Sequence, residues 1–380
     1  MNLFKWIKAQ RIIAGIYMHA LPKRAAVMRG GVCKKSRRWY RCKLAGGKAS
    51  DGSPFYGYYK KGTVNKLVVY FAGGGLSWNQ ETAARRNTIH EMIAGELGYY
   101  FSRVEGWLDM TFTGIVDPQD SRNPFNDWNF IYVPYATGDF HAGNNDYPYT
   151  GLDGRPHVLH HRGAENTQRV LEASPAEFRS PEQLFIAGES AGAWGCVANA
   201  GRIARFFPNC KDITVYSDAA QITYSKWKEV VRDVWQAEPA LYECLREDGQ
   251  LIRDWFIKLR EELGERVVLL HSNSAYDETL AQLQNKMQND AYVLDEKALK
   301  EFHRDLCAVT RELEQQLPNY HYFICDHGKD PATGKTAHTT SRWPPRYYDA
   351  KVDDISLAEW LAQAVNEKHY RNVGRDLLTE

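Results

Sequence analysis

The chain is organised around residues 184–193, which read Leu184-Phe185-Ile186-Ala187-Gly188-Glu189-Ser190-Ala191-Gly192-Ala193. The apolar residues predict a buried strand, and the glycines predict a sharp turn with Ser190 at its tip. The small residues that follow predict a helix lying close to the sheet, so that the free N–H groups of its first turn point at whatever Ser190 attacks. The stretch predicts a serine nucleophile.

Composition gives broad limits on the class of protein. The chain has 380 residues, a net charge of +1 and an ordinary share of hydrophobic residues, which gives no argument for a nucleic-acid partner. No Asp or Glu occurs before Asp51, whereas Lys and Arg are frequent there. We therefore expect a basic N-terminal extension over residues 1–38, with weak contact to an anionic surface, followed by one domain over residues 39–380.

The N-terminus and the cysteines bear on location. Residues 12–21 are apolar, but they contain a histidine, lack a convincing cleavage site for a signal peptidase, and are too few to span a bilayer. The seven cysteines are scattered, odd in number and lack a C-x-x-C pair. This pattern favours reduced thiols without a metal site, and so predicts a cytoplasmic rather than a secreted protein.

Apolar runs alternate with helical patterns along the rest of the chain. Residues 39–59 read as entry strands of a hairpin, and buried strands are expected at residues 66–72, 128–135, 184–189, 213–218, 266–273 and 321–325. Helices are expected at 82–97, 162–173 and 355–368, and helical insertions at 223–265 and 278–316 could form a cap. The alternation predicts an α/β fold of the α/β-hydrolase type, with a mostly parallel sheet covered by helices.

A serine nucleophile needs a histidine base, which in turn is oriented by a carboxylate. In α/β-hydrolases the chain order is nucleophile, acid, base, and ligands bind at the carboxyl ends of the strands. Asp277 follows a later strand and is favoured as the acid, with Asp218 as its rival. His338 lies on a long loop and is favoured as the base, with His327 as its rival.

The tetrahedral intermediate also needs hydrogen-bond donors for its oxyanion. These are expected from the N–H of Ala191 and from the glycine run after the strand at 66–72, namely Gly74 and Gly75, with Leu76 as a further candidate. Side chains that could line the pocket are Leu76, Trp78, Asp139, His141 and Glu189. No cofactor or metal is expected.

Several segments together resemble the pectin acetylesterase / Notum carboxylesterase family. The similar segments are residues 71–79 around the glycine run, 123–129 with 138–143, the serine turn at 188–192, the acid segment at 273–277 and the histidine segment at 337–339. The resemblance implies an α/β-hydrolase fold and a serine esterase, and it favours Asp277 and His338 over their rivals. Ser77 and Glu189 stand where many members have cysteine, and Ala193 replaces a frequent glycine.

Three functions follow as hypotheses. The first is a serine-dependent O-deacetylase acting on an acetylated carbohydrate or small-molecule ester. The second is a deacylase for long acyl chains, with the helical insertions forming an apolar pocket. The third is a catalytically silent homologue that binds a ligand or partner.

Overall fold

The structure is a computed structural model that describes residues 24–88 and 97–379. The apolar segment at residues 12–21, most of the basic extension and part of the helix expected at 82–97 lie outside the described residues. Within the described ranges, no helix has the length and apolarity needed to cross a membrane.

The strands and helices are as follows. The strands are β1 (Ala26–Val27), β2 (Trp39–Lys48), β3 (Pro54–Lys60), β4 (Lys66–Phe71), β5 (Arg86–Asn87), β6 (Tyr100–Phe101), β7 (Asn129–Val133), β8 (Asn145–Thr150), β9 (Pro156–His161), β10 (Gln183–Glu189), β11 (Asp212–Asp218), β12 (Val267–Ser274), β13 (Tyr320–Cys325), β14 (Lys351–Val352) and β15 (Ile355–Ser356). The α-helices are α1 (Gln80–Ala83), α2 (Gly163–Glu172), α3 (Ala191–Phe206), α4 (Trp227–Glu229), α5 (Pro239–Glu243), α6 (Leu251–Leu263), α7 (Glu278–Asn289), α8 (Glu296–Gln316) and α9 (Leu357–Asn366).

A nine-stranded sheet forms the centre of the fold, in the order β1-β2-β3-β7-β4-β10-β11-β12-β13. Six neighbouring strands are mutually parallel, namely β7, β4, β10, β11, β12 and β13, and β3 pairs antiparallel with β7. The carboxyl ends of parallel strands meet at one edge of a sheet, where ligands bind in such folds. Strand β10 lies between β4 and β11, so the glycine run, Ser190 and Asp218 lie at the carboxyl ends of three adjacent strands. The predicted α/β-hydrolase-type fold is confirmed.

The start of the sheet differs from the prediction. Strand β1 pairs with β2, Cys33 is buried, and the backbone N–H of Ala25 donates to Asp109 at 3.1 Å. The sheet therefore begins inside the segment expected as an N-terminal extension, before residue 39. The charge pattern did not reveal this, because a strand of two residues such as β1 needs few apolar residues.

The helix expected at residues 82–97 is different in its described part. Helix α1 ends at Ala83, and residues 86–87 form β5, which pairs with β6. The side chain of Asn79 caps α1 by accepting from the backbone N–H of Thr82, and the side chain of Thr82 accepts in turn from the N–H of Asn79. A closed capping box thus defines the start of this short helix.

The two helical insertions mainly cover the sheet. Trp227, Trp235 and Trp255 of the first insertion are almost fully buried, and α6 packs on α3 and β12. In the second insertion α8 packs on α7 and β13. A cap over the site is therefore not confirmed, and only α7 with the segment after it reaches the cavity described below.

Candidate active site

Ser190 lies at a strained turn between β10 and α3. Its φ and ψ are 51° and −126°, a combination that costs a non-glycine residue of order 1–3 kcal/mol and persists only where the surroundings fix it. The neighbouring glycines fix it by close approach. A Cβ on Gly188 would lie 2.0 Å from the carbonyl oxygen of Gly192, and a Cβ on Gly192 would lie 2.1 Å from that of Phe71. Helix α3 can therefore approach the sheet closely only with glycine at both positions.

The structure brings Ser190, His338 and Asp277 into one hydrogen-bonded chain. His338 Nε2 lies 2.9 Å from Ser190 Oγ, and His338 Nδ1 lies 2.7 Å from Asp277 Oδ2. A carboxylate can only accept here, so Nδ1 carries a proton and the Nε2 lone pair faces the serine hydroxyl. Asp277 is fully buried, and its other oxygen accepts from the N–H groups of Thr279 and Leu280 at the start of α7. The helix start thus holds the carboxylate in place.

Two opposing effects set the pKa of His338. Burial lowers it, whereas the charge and hydrogen bond of Asp277 raise it, with smaller contributions from Asp218 and Glu189. The carboxylates prevail, and the pKa of His338 lies above its ordinary value of 6.5. A more basic imidazole is a stronger acceptor for the serine proton, which is the property that a general base needs.

The rival acid Asp218 and the rival base His327 are not part of this hydrogen-bonded chain. The carboxylate of Asp218 accepts from the backbone N–H groups of Thr340 and Ser341, and contacts no histidine ring among the described residues. His327 is buried, and neither of its ring nitrogens has a partner in the described part of the chain. Neither residue has the geometry of a triad member.

The glycine run lies beside Ser190. A Cβ on Gly73 would lie 2.7 Å from Ser190 Cβ, and Gly74, Gly75 and Ala191 all line the same cavity as Ser190. The N–H groups of those last three residues have no acceptor within residues 24–88 and 97–379. The N–H of Leu76 donates to Tyr99 at 2.8 Å, so it is not available to a substrate. Three N–H groups in the cavity wall are therefore without an acceptor in the described chain, which is what an oxyanion hole requires.

The cavity next to Ser190 has a volume of about 840 Å³. Most of its wall is apolar and aromatic, and the aromatic part includes Tyr99, Phe101, Trp107, Tyr135, Phe140 and Trp194. Phe140 and Trp194 stack at a centroid distance of 4.4 Å. Pockets of about 300–1,000 Å³ bury most of a drug-sized ligand, so this cavity can enclose a substantial apolar group.

The predicted pocket residues divide into two groups. Leu76 and Glu189 line the cavity, whereas Trp78, Asp139 and His141 do not. The last three are a correction to the sequence analysis, because they are buried behind the wall. Trp78 packs edge-on against Tyr99 at a centroid distance of 5.1 Å.

Asp139 and His141 hold the backbone behind the site. The carboxylate of Asp139 accepts from the N–H groups of His141 and Gly163. His141 Nε2 donates to the carbonyl of Ala72, 2.9 Å away, just before the glycine run. Burial lowers the pKa of His141 to about 4, so the ring is neutral near pH 7. The two residues support the glycine run from behind.

An ion pair that the sequence analysis missed lies in the cavity wall. Arg342 Nη1 lies 3.2 Å from both Glu189 Oε1 and the Tyr132 hydroxyl, and Arg342 Nη2 donates to the Thr111 carbonyl at 2.9 Å. Burial raises the pKa of Glu189, and the charge of Arg342 opposes that shift. Arg342 follows His338 by four residues, so proximity to the histidine segment was the available signal. The pair gives a mostly apolar cavity one strongly polar side.

Neither the cysteines nor other clusters form an additional centre in the described chain. All seven cysteines lie within residues 24–88 and 97–379, and none of them forms a disulfide there. In those ranges no group of three or more His, Cys, Asp and Glu side chains is arranged to hold a metal ion.

Comparison with known proteins identifies relatives of this chain. A sequence model of the family described as Pectinacetylesterase matches residues 41–235. Palmitoleoyl-protein carboxylesterase NOTUM of Schmidtea mediterranea is 26% identical over 167 residues, which is 42% of this chain and 28% of the relative. Palmitoleoyl-protein carboxylesterase NOTUM of Homo sapiens is 26% identical over 168 residues, or 41% of this chain and 29% of the relative. The match thus spans less than a third of the length of these relatives.

The predicted cytoplasmic location is wrong. Pectinacetylesterase and Notum relatives are secreted or extracellular enzymes, which conflicts with that prediction. The prediction rested on the lack of a convincing signal-peptide cleavage site and on cysteines that were expected to be reduced. A fold with a large hydrophobic core needs no disulfide for stability, so the lack of disulfides among the described residues carries little information about the compartment.

The family match covers the amino-terminal half of the site. It includes the glycine run at residues 73–75 and the serine turn at residues 188–192, whereas Asp277 and His338 lie beyond its end. The two parts meet in the structure through the hydrogen bond between Ser190 and His338. Because the matched segment spans just over half of the chain, the chain belongs to the pectinacetylesterase family.

Proposed function

We propose that this protein is a serine-dependent carboxylic ester hydrolase. The observation that carries the proposal is the hydrogen-bonded chain Ser190–His338–Asp277, with contacts of 2.9 and 2.7 Å, in the wall of a cavity of about 840 Å³. The family membership and the carboxylesterase names of the relatives support it.

The proposed reaction has two halves, acylation and deacylation of Ser190, and the same groups act in both. Ser190 Oγ attacks the ester carbonyl while His338 Nε2 takes the hydroxyl proton, and the N–H groups of Gly74, Gly75 and Ala191 bind the oxyanion. His338 then gives the proton to the leaving alcohol, which leaves an acyl group on Ser190. Water, deprotonated by the same nitrogen, releases the acid and restores Ser190. Asp277 keeps the Nδ1 proton in place throughout.

The cavity favours an acyl group longer than acetyl. An acetyl group has one methyl to bury, whereas the wall beside Ser190 offers aromatic rings on several sides. An alkyl chain packed there gains about 0.8 kcal/mol for each buried CH₂. The relatives are named palmitoleoyl-protein carboxylesterases, and the palmitoleoyl group in that name is a long acyl chain.

A polar alcohol fits the other side of the cavity. An alkyl chain against the Glu189–Arg342 pair would remove what solvation the ion pair has left, which is costly. A hydroxyl-bearing leaving group can instead exchange hydrogen bonds with the pair. The same feature supports the second candidate function, an O-deacetylase for an acetylated carbohydrate.

The test is hydrolysis of p-nitrophenyl esters with acyl chains from acetyl to palmitoyl, below the critical micelle concentration. We expect kcat/KM to rise up to about fourfold per added CH₂ until the cavity is filled. A maximum at acetate would favour the carbohydrate O-deacetylase. Ser190→Ala should abolish both turnover and labelling by a fluorophosphonate. Equal turnover by the wild type and Ser190→Ala would contradict the proposal, and an unlabelled, inactive wild type would favour a silent binding protein.

A further inference from the structure

Asp218 is an aspartate at the end of β11 that the proposed reaction does not use. It is almost fully buried, and its Oδ1 accepts from the Ser272 hydroxyl at 2.8 Å. Its Oδ2 accepts from the N–H groups of Thr340 and Ser341 at 3.0 and 2.8 Å, and from the Ser341 hydroxyl at 2.6 Å. Three of these four donors belong to the loop that carries His338.

Arg346 binds carbonyl oxygens of the same loop, whereas Asp218 binds its N–H and O–H groups. Its Nη1 donates to the carbonyl of His338 at 2.6 Å and to the carbonyl of Thr339. Between the two sets of bonds, Thr339 has a φ of 58°, a left-handed conformation that is unfavourable for a β-branched residue. Contacts on both sides hold the loop in this shape, since such strain persists only where the surroundings fix it.

Asp218 also binds the nucleophile turn. Its backbone carbonyl accepts from the N–H of Ser190 at 2.8 Å, and it pairs in register with Glu189 on the adjacent strand. The main chain of one residue therefore fixes Ser190, while its side chain fixes the loop of His338. The contact of 2.9 Å between Ser190 Oγ and His338 Nε2 bridges the two.

We propose that Asp218, assisted by Arg346, is a positioning residue that sets the distance between the nucleophile and the base. The proposal rests on the proposed esterase function. Asp218 is not a second acid, because its carboxylate is occupied by four donors and the ring of His338 is bound by Asp277. Its negative charge adds to that of Asp277 in favouring the protonated imidazole.

The test is Asp218→Asn, which keeps the shape but turns one oxygen into an NH₂ group facing N–H or O–H donors. We expect kcat to fall about 10- to 100-fold, because small misplacements of reacting groups have effects of this size. KM should change little, since Asp218 does not line the cavity. The acid limb of the pH profile should move to lower pH. Asp212→Asn is the matched control, because it changes a half-exposed aspartate at the other end of β11, and it should behave as the wild type.

A second measurement separates this proposal from the proposed function. The Nδ1–H of His338 should give a strongly downfield proton resonance in the wild type, which Asp218→Asn should shift or broaden and Asp212→Asn should not. Should the wild type lack Ser190-dependent turnover while this resonance still responds, the esterase proposal fails, and only the hold of Asp218 on the His338 loop stands. Unchanged kcat, pH profile and resonance in Asp218→Asn would overturn the positioning role.

The milder Ser341→Ala covers the case in which Asp218→Asn does not fold. It removes one donor to Asp218 and keeps the backbone N–H groups. We expect a smaller fall in kcat and a smaller shift of the same resonance, with thermal unfolding to show that the variant is folded. A folded Ser341→Ala with wild-type kcat and resonance would count against the proposal.

Discussion

His338 is the residue at which the chemistry and the electrostatics of the site meet. It is held by Asp277 on one nitrogen and faces Ser190 with the other. The base must be neutral to accept a proton, so the same carboxylates that raise its pKa also narrow the pH range in which it can act. The pH dependence of the reaction therefore reports directly on these contacts.

We expect kcat/KM to fall as the pH falls through the pKa of His338, with a midpoint above 6.5. In Asp277→Asn the charge that raises this pKa is lost, so the midpoint should move down. The maximal rate should fall by roughly four orders of magnitude, because the amide no longer fixes the tautomer. The measurement is the pH–rate profile of both proteins on one soluble ester. A midpoint that is the same in Asp277→Asn would contradict the assignment of the acid.

The sequence predicted Ser190, Asp277 and His338 by their order and by the strands that they follow. It did not predict Arg342 as the partner of Glu189, because the two residues are 153 positions apart and no short motif joins them. It wrongly assigned Trp78, Asp139 and His141 to the pocket wall. A residue just after a strand can face the cavity or lie buried behind it, and only packing decides which.

Helix α3 is the element whose packing fixes Ser190, the proposed nucleophile. It begins directly after Ser190, and its glycines let it lie against β4 and β10. This close packing was predictable, because a helix made of small residues leaves little side-chain volume between its backbone and the strand before it. The end of α1 at Ala83 was not predictable, because β5 at Arg86–Asn87 forms by pairing with β6, a contact with a later segment that local spacing does not encode.

Gly192→Ala should push helix α3 away from β4. Its new Cβ would lie 2.1 Å from the backbone oxygen of Phe71, which cannot move without disturbing β4. We expect a loss of about 1–3 kcal/mol in the free energy of unfolding, typical of overpacking. A fall of roughly 100-fold in kcat should accompany it, because Ser190 shifts with the helix.

Gly201→Ala on the same helix is the control for this experiment. Its new Cβ meets only the end of the Glu262 side chain, which can rotate away. It should leave kcat near that of the wild type, as measured beside urea unfolding of both variants. Wild-type kcat and stability in Gly192→Ala would show that α3 need not approach β4 so closely.

At the scale of the whole molecule, the parallel part of the sheet collects the site from distant parts of the chain. The glycine run follows β4, Ser190 follows β10 and Asp277 follows β12, all at one edge. The alternation of strands and helices was enough to predict this arrangement. The antiparallel part, β2 and β3, carries no site residue, but it holds a buried lysine that ties the sheet to the segment at residues 123–129.

Lys60, the last residue of β3, is 1% exposed. Its Nζ donates to the carbonyl of Asn126 at 2.7 Å and lies 4.3 Å from the centre of the Phe130 ring. Burial nevertheless lowers its pKa to about 7 from an ordinary value of 10.5. Between these two pH values the unfolded chain binds more protons than the folded protein, so the contribution of Lys60 to stability increases as the pH rises.

We therefore expect Lys60→Met to change how stability depends on pH. The wild type should gain up to about 1.4 kcal/mol per pH unit from this group between pH 7 and pH 10. The variant lacks the titrating amine, so the stability difference between the two proteins should shift in favour of the wild type over that range. Lys61→Met, which removes a half-exposed lysine beside it, should keep the wild-type slope. Urea unfolding at several pH values measures all three, and parallel slopes in wild type and Lys60→Met would show that Lys60 stays charged in the folded protein.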